Sequence, residues 1–491
     1  MQKTDTMNIF KYFTIASLGL VILAGSCTKE YERSYCEGIP MRIVPSIAGE
    51  TKGSMSTDSL REFQLQVKSA DHFFSYFETV SKTGTTWAAQ RQIYWKNETD
   101  PITFSAASFG YHTFTAKEFE EGASLLLPNN QRNQYWINTA DLLVVTPTVI
   151  KCEDTSEGVL PLAFSHALAK INFVISLGEK FYQNGYTDAK NPISCMLVKG
   201  TDMRFTFTPS NGKVKAVTGT AEDIKPFPSA FIPGTASDQT AKATYEVILV
   251  PQTLAAGQLK ISFTVCEVPY EWSNSEEITL EPGKTCNLPI NITEAPAPSQ
   301  HIYGHRYVEL GDGIKWATCN IGSPTAAGFG EQYWWGATET FLFTPWRSGG
   351  TEGGYAAMGA LINTNYNQEG ETLRPEDDPA TAQWGAPWRL ATKEEWEKLY
   401  DTEKFTWSTV SNYKGTGTSG QIITSKVPGY EGNYIFLPHT GKVTCFIGTA
   451  SGGLWYLTAT FYSSSKTLFA DLNRTGYFMR EVDGFTRPVA D

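Results

Sequence analysis

The sequence predicts a mostly β chain in which a long strand-rich region is followed by a separate α+β domain, and three observations carry that reading. Short runs with period-2 alternation recur through residues 37–293, as in Phe63-Gln64-Leu65-Gln66-Val67, Ile171-Asn172-Phe173-Val174-Ile175 and Leu259-Lys260-Ile261-Ser262-Phe263. Such alternation turns one face of a strand into a core. A Pro/Ala stretch at residues 294–300 then interrupts helix and ladder alike and favours an extended spacer. Beyond it, nine of the 13 tryptophans fall between Trp316 and Trp455, which marks residues 301–491 as a module of different composition.

At the amino-terminal end, Lys3 and Lys11 precede an apolar run from Tyr12 to Gly25. At 14 residues it is too short to cross a hydrocarbon core of ~30 Å as a helix. Residues 1–26 therefore read as a signal peptide. Leu23-Ala24-Gly25-Ser26-Cys27 sets small residues before a cysteine, the arrangement of a lipobox, so Cys27 is the expected lipidation site. Residues 27–36 form the tether behind it, and membrane attachment is expected through lipid alone. With a formal net charge of -11, the chain is not expected to bind nucleic acid.

Within residues 37–293, Thr83-Gly84-Thr85, Pro209-Ser210-Asn211-Gly212 and Pro282-Gly283 punctuate the strands. Many short strands between such turns predict a β-sandwich, single or two in tandem. In residues 301–491, Thr392 and Glu395 form a capping box, and Trp396, Leu399 and Tyr400 give the apolar stripe of one helix. Strands such as Tyr434-Ile435-Phe436-Leu437-Pro438 complete an α+β domain.

Chemical motifs are sparse. Besides Cys27 there are seven cysteines, none within four residues of another, which excludes a CxxC metal or redox pair. They are expected to be mainly free and buried, with a Cys266–Cys286 bond as the alternative. Residues 415–420 match GxGxxG without the strand before and helix after that dinucleotide binding needs, and Gly283-Lys284-Thr285 lacks the earlier glycine of a phosphate loop. His301 and His305 are i, i+4 with no intervening glutamate and read as linker histidines; His166 reads as a packed, hydrogen-bonded residue. Glu376-Asp377-Asp378 lacks the spacing of a calcium loop and reads as a solvated turn. No catalytic residue, metal site or cofactor is expected. Trp346, Tyr355, Trp455 and Tyr456 lie in irregular segments and are the candidate ligand-binding platform, since aromatic faces cover the apolar face of a sugar. Trp316, Trp335, Trp388 and Trp396 are expected in the core.

Two resemblances refine this reading. Leu162-Ala163-Phe164-Ser165-His166-Ala167-Leu168-Ala169-Lys170-Ile171-Asn172-Phe173 resembles the central signature of the fimbrillin-like families of Bacteroidota. Tyr94-Trp95, Asp141-Leu142-Leu143-Val144, Ile248-Leu249-Val250-Pro251-Gln252 and Leu280-Glu281-Pro282-Gly283-Lys284 agree in order. The resemblance implies a pilus lipoprotein assembled by β-strand donation, matured by cleavage after a basic residue near the amino terminus. Arg33 and Arg42 are the candidate sites, with Lys52 a third; incidental basic residues in an uncut chain are the alternative. Residues 301–491 resemble a module named for the major paralogous domain of Fibrobacter succinogenes, similar to C-type-lectin-like folds. The resemblance rests on Tyr307-Val308-Glu309-Leu310-Gly311-Asp312-Gly313-Ile314-Lys315-Trp316, Gly330-Glu331-Gln332-Tyr333-Trp334-Trp335-Gly336, Trp388-Arg389-Leu390-Ala391-Thr392 and Arg487-Pro488-Val489. A Tyr-Trp-Ser-Ser block of that family is replaced by Leu454-Trp455-Tyr456-Leu457-Thr458.

Together these imply a lipid-anchored protein of the outer membrane and cell surface, a pilus component or adhesin at the tip or in an accessory position. Its partners would be other pilus subunits and a glycan or host-surface protein. The alternatives are a glycan-capturing lipoprotein of an uptake system and an enzyme on a lectin-like scaffold.

Overall fold

The structure, a computed structural model, describes residues 38–47, 55–70, 74–110, 112–340, 366 and 368–491, the last span with short breaks between 440 and 483. Cys27, Arg33, Lys52, Trp346, Tyr355 and Trp455, with the expected signal peptide and tether, lie outside the described residues.

In chain order the first region begins with β1 (Arg42–Ile47), β2 (Glu62–Ser69), β3 (Ser75–Thr83), β4 (Thr86–Ala89) and β5 (Ile102–Phe109). Next come α1 (Ala116–Glu121), β6 (Ala123–Leu126), α2 (Gln134–Ala140), β7 (Leu142–Ile150), β8 (Val159–His166) and β9 (Ala169–Leu177). Then follow α3 (Glu179–Gln183), β10 (Ile193–Lys199), β11 (Arg204–Thr208), β12 (Lys213–Ala216), β13 (Phe227–Ile232) and β14 (Ala241–Leu249). The region ends with β15 (Thr253–Leu254), β16 (Lys260–Val265), β17 (Val268–Ser273), β18 (Ile278–Thr279) and β19 (Thr285–Ile292).

Seven strands form one sheet in the order β1-β8-β7-β5-β2-β3-β4. It curls until β1 and β4 approach each other, and encloses a core that includes Phe63, Leu65, Phe104, Leu160, Leu162 and Phe164. A second unit pairs β13-β14-β9-β19 with the smaller sheets β10-β16-β17 and β12-β11-β6 around Phe173, Ile175, Phe205, Val247 and Ile261. The strand-rich reading therefore holds as two adjacent β units. The alternation expected of β2 fails, because Gln64 and Gln66 are buried as well as its apolar residues. The 110–127 segment roofs that second face: Gln64 accepts from the Phe114 amide at 3.2 Å and Gln66 donates to Glu120 at 3.0 Å. Burial of these amides is tolerated because they are hydrogen-bonded.

Among the described residues no ladder joins strands before residue 294 to strands after residue 300. In the carboxy-terminal module the strand Pro488–Ala490 lies inside a five-stranded sheet, between Lys315–Ala317 and Arg389–Leu390. Trp316, Trp335, Trp388 and Trp396 are all buried in its cores, as expected. Arg487 is 1% exposed and donates to Asn320 Oδ1, the Ala317 carbonyl and the Phe436 carbonyl, each at 2.9 Å. One buried guanidinium thus ties the last strand to two sheets.

Among the described residues the module has the helices α4 (Pro379–Trp384) and α5 (Lys393–Lys398), the latter with the Thr392/Glu395 capping box in place. Other helices were not anticipated: α1 carries its own box from Thr115 and Glu118, and α2 is capped by Asn133. At five to seven residues each of α1, α2 and α3 is shorter than the periodic stripe that reveals a helix in sequence. Two further expectations are corrected. Asp378 is 2% exposed and caps α4, accepting from the Ala380, Thr381 and Leu390 amides; burial lifts its carboxyl to about 6 against those bonds. His305 is a core residue stacked on Trp384 at 3.8 Å, and burial, with His301 nearby, pushes it down to about 3. Cys266 and Cys286 are both free thiols, as expected.

Phe164 is fully buried and meets Phe63 edge-on at 5.1 Å. Truncating it to alanine is expected to cost about 3–5 kcal/mol. A lowered urea midpoint for the first β unit, with unchanged slope, checks this.

Candidate functional site

A strand can be exchanged only where it has one ladder partner and a row of inward side chains. β1 satisfies both conditions. It lies at the sheet edge, parallel to β8, in register from Arg42 opposite Val159 to Ile47 opposite Phe164. Ile43, Pro45 and Ile47 turn inward while Arg42, Val44 and Ser46 face out. Pro45 cannot donate to a ladder and is tolerated at an edge. Without β1, the ladder groups of β8 and the flank of Leu160, Leu162 and Phe164 would be uncovered. Such a groove is satisfied by another strand of alternating apolar residues.

The ends of β1 are pinned. Upstream, the Met41 amide donates to the Ile93 carbonyl at 3.0 Å, and the Trp95 amide to that of Ile39 at 2.8 Å. The Trp95 indole donates to the Gly158 carbonyl at 3.0 Å. Gly158 has φ +71°, and a Cβ there would sit 3.0 Å from both the Ile39 side chain and the Pro40 carbonyl, so glycine lets the incoming chain lie against the start of β8. Downstream, the Ile47 amide donates to Thr57 at 3.2 Å, and the Met55 amide to the Asp141 carboxylate at 3.1 Å. That carboxylate, 1% exposed, also meets His166 Nδ1 at 2.8 Å, at the end of β8. His166 is thus the hydrogen-bonded residue anticipated. Burying Ile43 and Ile47 stabilises β1 by about 1.5–3 kcal/mol each.

Arg42 is the one candidate cleavage residue among those described. Its side chain is exposed and meets Glu157 at 2.8 Å, a surface pair contributing at most about 1 kcal/mol. Its amide donates to the Gly158 carbonyl at 3.0 Å, so the backbone is already held in place against β8. A protease that needs an extended, unpaired substrate reaches Arg42 only when β1 frays.

At the other end of the region, β19 is likewise a parallel edge strand, paired with β9 from Thr285 opposite Lys170 to Ile292 opposite Leu177. The chain then continues into residues 294–300. Of the aromatic platform, Tyr456 is corrected: it is fully buried, and its hydroxyl accepts from Asn320 Nδ2 at 3.1 Å. It begins a strand in the core and offers no face to a ligand. Asp141 and Gly158 were not singled out as site residues. Asp141 stood in a quoted block, but its partners Met55 and His166 are 86 and 25 residues away, a relation one sequence does not display.

The fold is one of two β units in which β1 is an edge strand of the first. Residues 57–303 match the fimbrillin-like family, and the chain belongs to that family. No curated protein matches it. Among solved structures it is similar to a candidate cell adhesion protein from Bacteroides ovatus, with 16% identity over 52% of this chain and 91% of that one and a TM-score of 0.38. It is also similar to a candidate cell adhesion protein from Bacteroides uniformis (14% identity, 48% and 87% covered, TM-score 0.35). A fimbrial protein from Bacteroides ovatus aligns over 92% of this chain and 99% of that one, at 11% identity and a TM-score of 0.28.

Placing a charge in the groove tests its description. Ile43→Asp is expected to detach β1 while leaving β5 and β2 paired. Amide exchange across residues 159–164 should rise at least tenfold, with exchange in Ile102–Phe109 unchanged.

Proposed function

We propose that this protein is a surface pilus component or adhesin that receives a donated β-strand in the β1 groove. In this reading the carboxy-terminal module is the ligand-bearing end. The carrying observation is the placement of β1, an edge strand with three inward residues laid on β8, the strand in which the fimbrillin-like signature begins. Membership of the fimbrillin-like family points to a structural role rather than catalysis.

In this reading the cleavage candidates differ in effect. A cut after Arg33 leaves β1 seated, and a cut after Arg42 leaves Ile43–Ile47 on β8. A cut between β1 and Met55 frees the strand, and there the sequence offers Lys52. A tip or accessory position is supported by the downstream end, where β19 is paired with β9 and runs on into a further module instead of ending as a free strand. Lipidation at Cys27 would hold the protein to the outer membrane at the cell surface until assembly. Trp346, Tyr355 and Trp455 remain the proposed contacts to a glycan or host-surface protein, on a module we read as C-type-lectin-like.

The test is limited digestion of the folded full chain with an Arg- or Lys-specific protease, followed by addition of a labelled peptide carrying the 42–47 sequence. Cleavage at Lys52 with loss of β1 and stable peptide capture is expected; Lys52→Gln should abolish capture and Arg42→Gln should not. Capture that is indifferent to Lys52, or long homopolymeric fibres of the cut protein, would overturn the site or the tip position respectively. The same chain on a glycan array, with and without calcium, reports on the module separately.

A further inference from the structure

The segment 294–300 carries the composition of a spacer, yet its surroundings hold it down. Tyr186 donates to the Ala297 carbonyl at 2.8 Å, Asn184 to the Pro296 carbonyl at 2.9 Å, and Lys180 pairs with Glu294 at 2.8 Å. His301 stacks on the Tyr186 ring at 4.1 Å. Among the described residues the β units and the module also touch directly, and three of these contacts form a seam.

The first is Glu331 of the module, whose side chain is 11% exposed. Its carboxylate accepts from Arg132 at 2.7 Å and from Lys225, both on the β-unit side, and from the Tyr333 hydroxyl at 3.0 Å. Arg132 also donates to Thr340 at 3.2 Å. A buried carboxylate is tolerated when it is paired and hydrogen-bonded in this way. The second is the turn between β16 and β17, where Cys266 and Glu267 both adopt positive φ, at 52° and 64°. A two-residue hairpin loop, here between the paired Val265 and Val268, takes positive φ at both of its central residues. Here Thr318 of the module donates to Glu267, and Cys266 Sγ lies 3.2 Å from Ser299. The third is Gly304, at φ +77°, where a Cβ would stand 2.7 Å from Pro192 Cβ. The two backbones approach more closely than any side chain at 304 would allow.

We propose that this seam is a fixed internal interface that makes the module and the second β unit one mechanical body. A load on the module then passes through Glu331 into the segments of Arg132 and Lys225, through Glu267 into the β16–β17 hairpin and through Gly304 into the start of β10, instead of extending residues 294–300. This holds whatever the module binds, so it stands or falls separately from the strand-exchange reading.

Hydrogen–deuterium exchange on the full chain tests it. In the native protein the amides of Tyr307 and Thr318, which donate to the Gln300 and Arg306 carbonyls at 3.3 and 3.0 Å, are expected to be protected. Glu331→Gln and Gly304→Val, which attack the seam from different sides, should each raise their exchange about tenfold or more. Glu394→Gln, at an exposed position, should not. Retained protection in Phe405–Val410 shows that the module of each variant is still folded.

Acidification is an independent probe. Burial alone would raise Glu331, but Arg132 and Lys225 more than reverse this and hold it at about 2 against an ordinary 4.5, with Tyr333, Glu339 and the Cys195 thiol also facing the site. Its contribution is therefore complete above about 4.5 and lost as pH falls toward 2, so protection of the Tyr307 and Thr318 amides should weaken at pH 3. Native amides of Tyr307 and Thr318 exchanging at unprotected rates would overturn the proposal, as would seam variants that leave them unchanged.

Discussion

The fold depends on one continuous stretch, residues 159–177, which supplies β8 to the first unit and β9 to the second. Leu160, Leu162 and Phe164 fill one core and Ile171, Phe173 and Ile175 the other, all fully buried. Both terminal strands of the region are laid parallel on this stretch, β1 on β8 and β19 on β9. A one-residue slip in either half would turn its apolar set out of its core. Two units and two edge strands therefore share a single register.

Buried polar groups fix what hydrophobic burial alone would leave loose. Apolar contacts are non-directional, so they hold β1 on the sheet without deciding where the flanking chain goes. Asp141 decides it by accepting from the Met55 amide and meeting His166. Arg487 plays the same part in the module, and Lys170 with Glu246, 2.7 Å apart and both nearly buried, does so between β9 and β14. Removing one member of such a buried set leaves its partner dry and unpaired, which is why these groups specify geometry more than they add stability.

The parts legible in sequence are those where a local pattern meets a local rule. The alternation of Ile171, Phe173 and Ile175 marked β9, the Thr392/Glu395 pair marked α5, and Trp316, Trp335, Trp388 and Trp396 marked the module core. The parts missed have partners far away or elements too short to show a period. Gln64 and Gln66 looked like a solvent face because the 110–127 roof is not adjacent in sequence. His305 looked like a linker histidine because Trp384, on which it stacks, is many residues downstream. Tyr456 looked available because its neighbours are irregular, whereas Asn320 draws it into the core.

By itself the sequence determined the mostly β class, the family signature and the change of character after residue 300, because strand period, turn residues and aromatic content are properties of short segments. Tertiary structure decided that β1 is an edge strand, that Arg42 lies paired within it, and that the spacer-like segment is strapped down. Those depend on which distant groups meet Gly158, Asp141 and Glu331. Long-range contact is set by the packing of whole sheets, and no single segment encodes it.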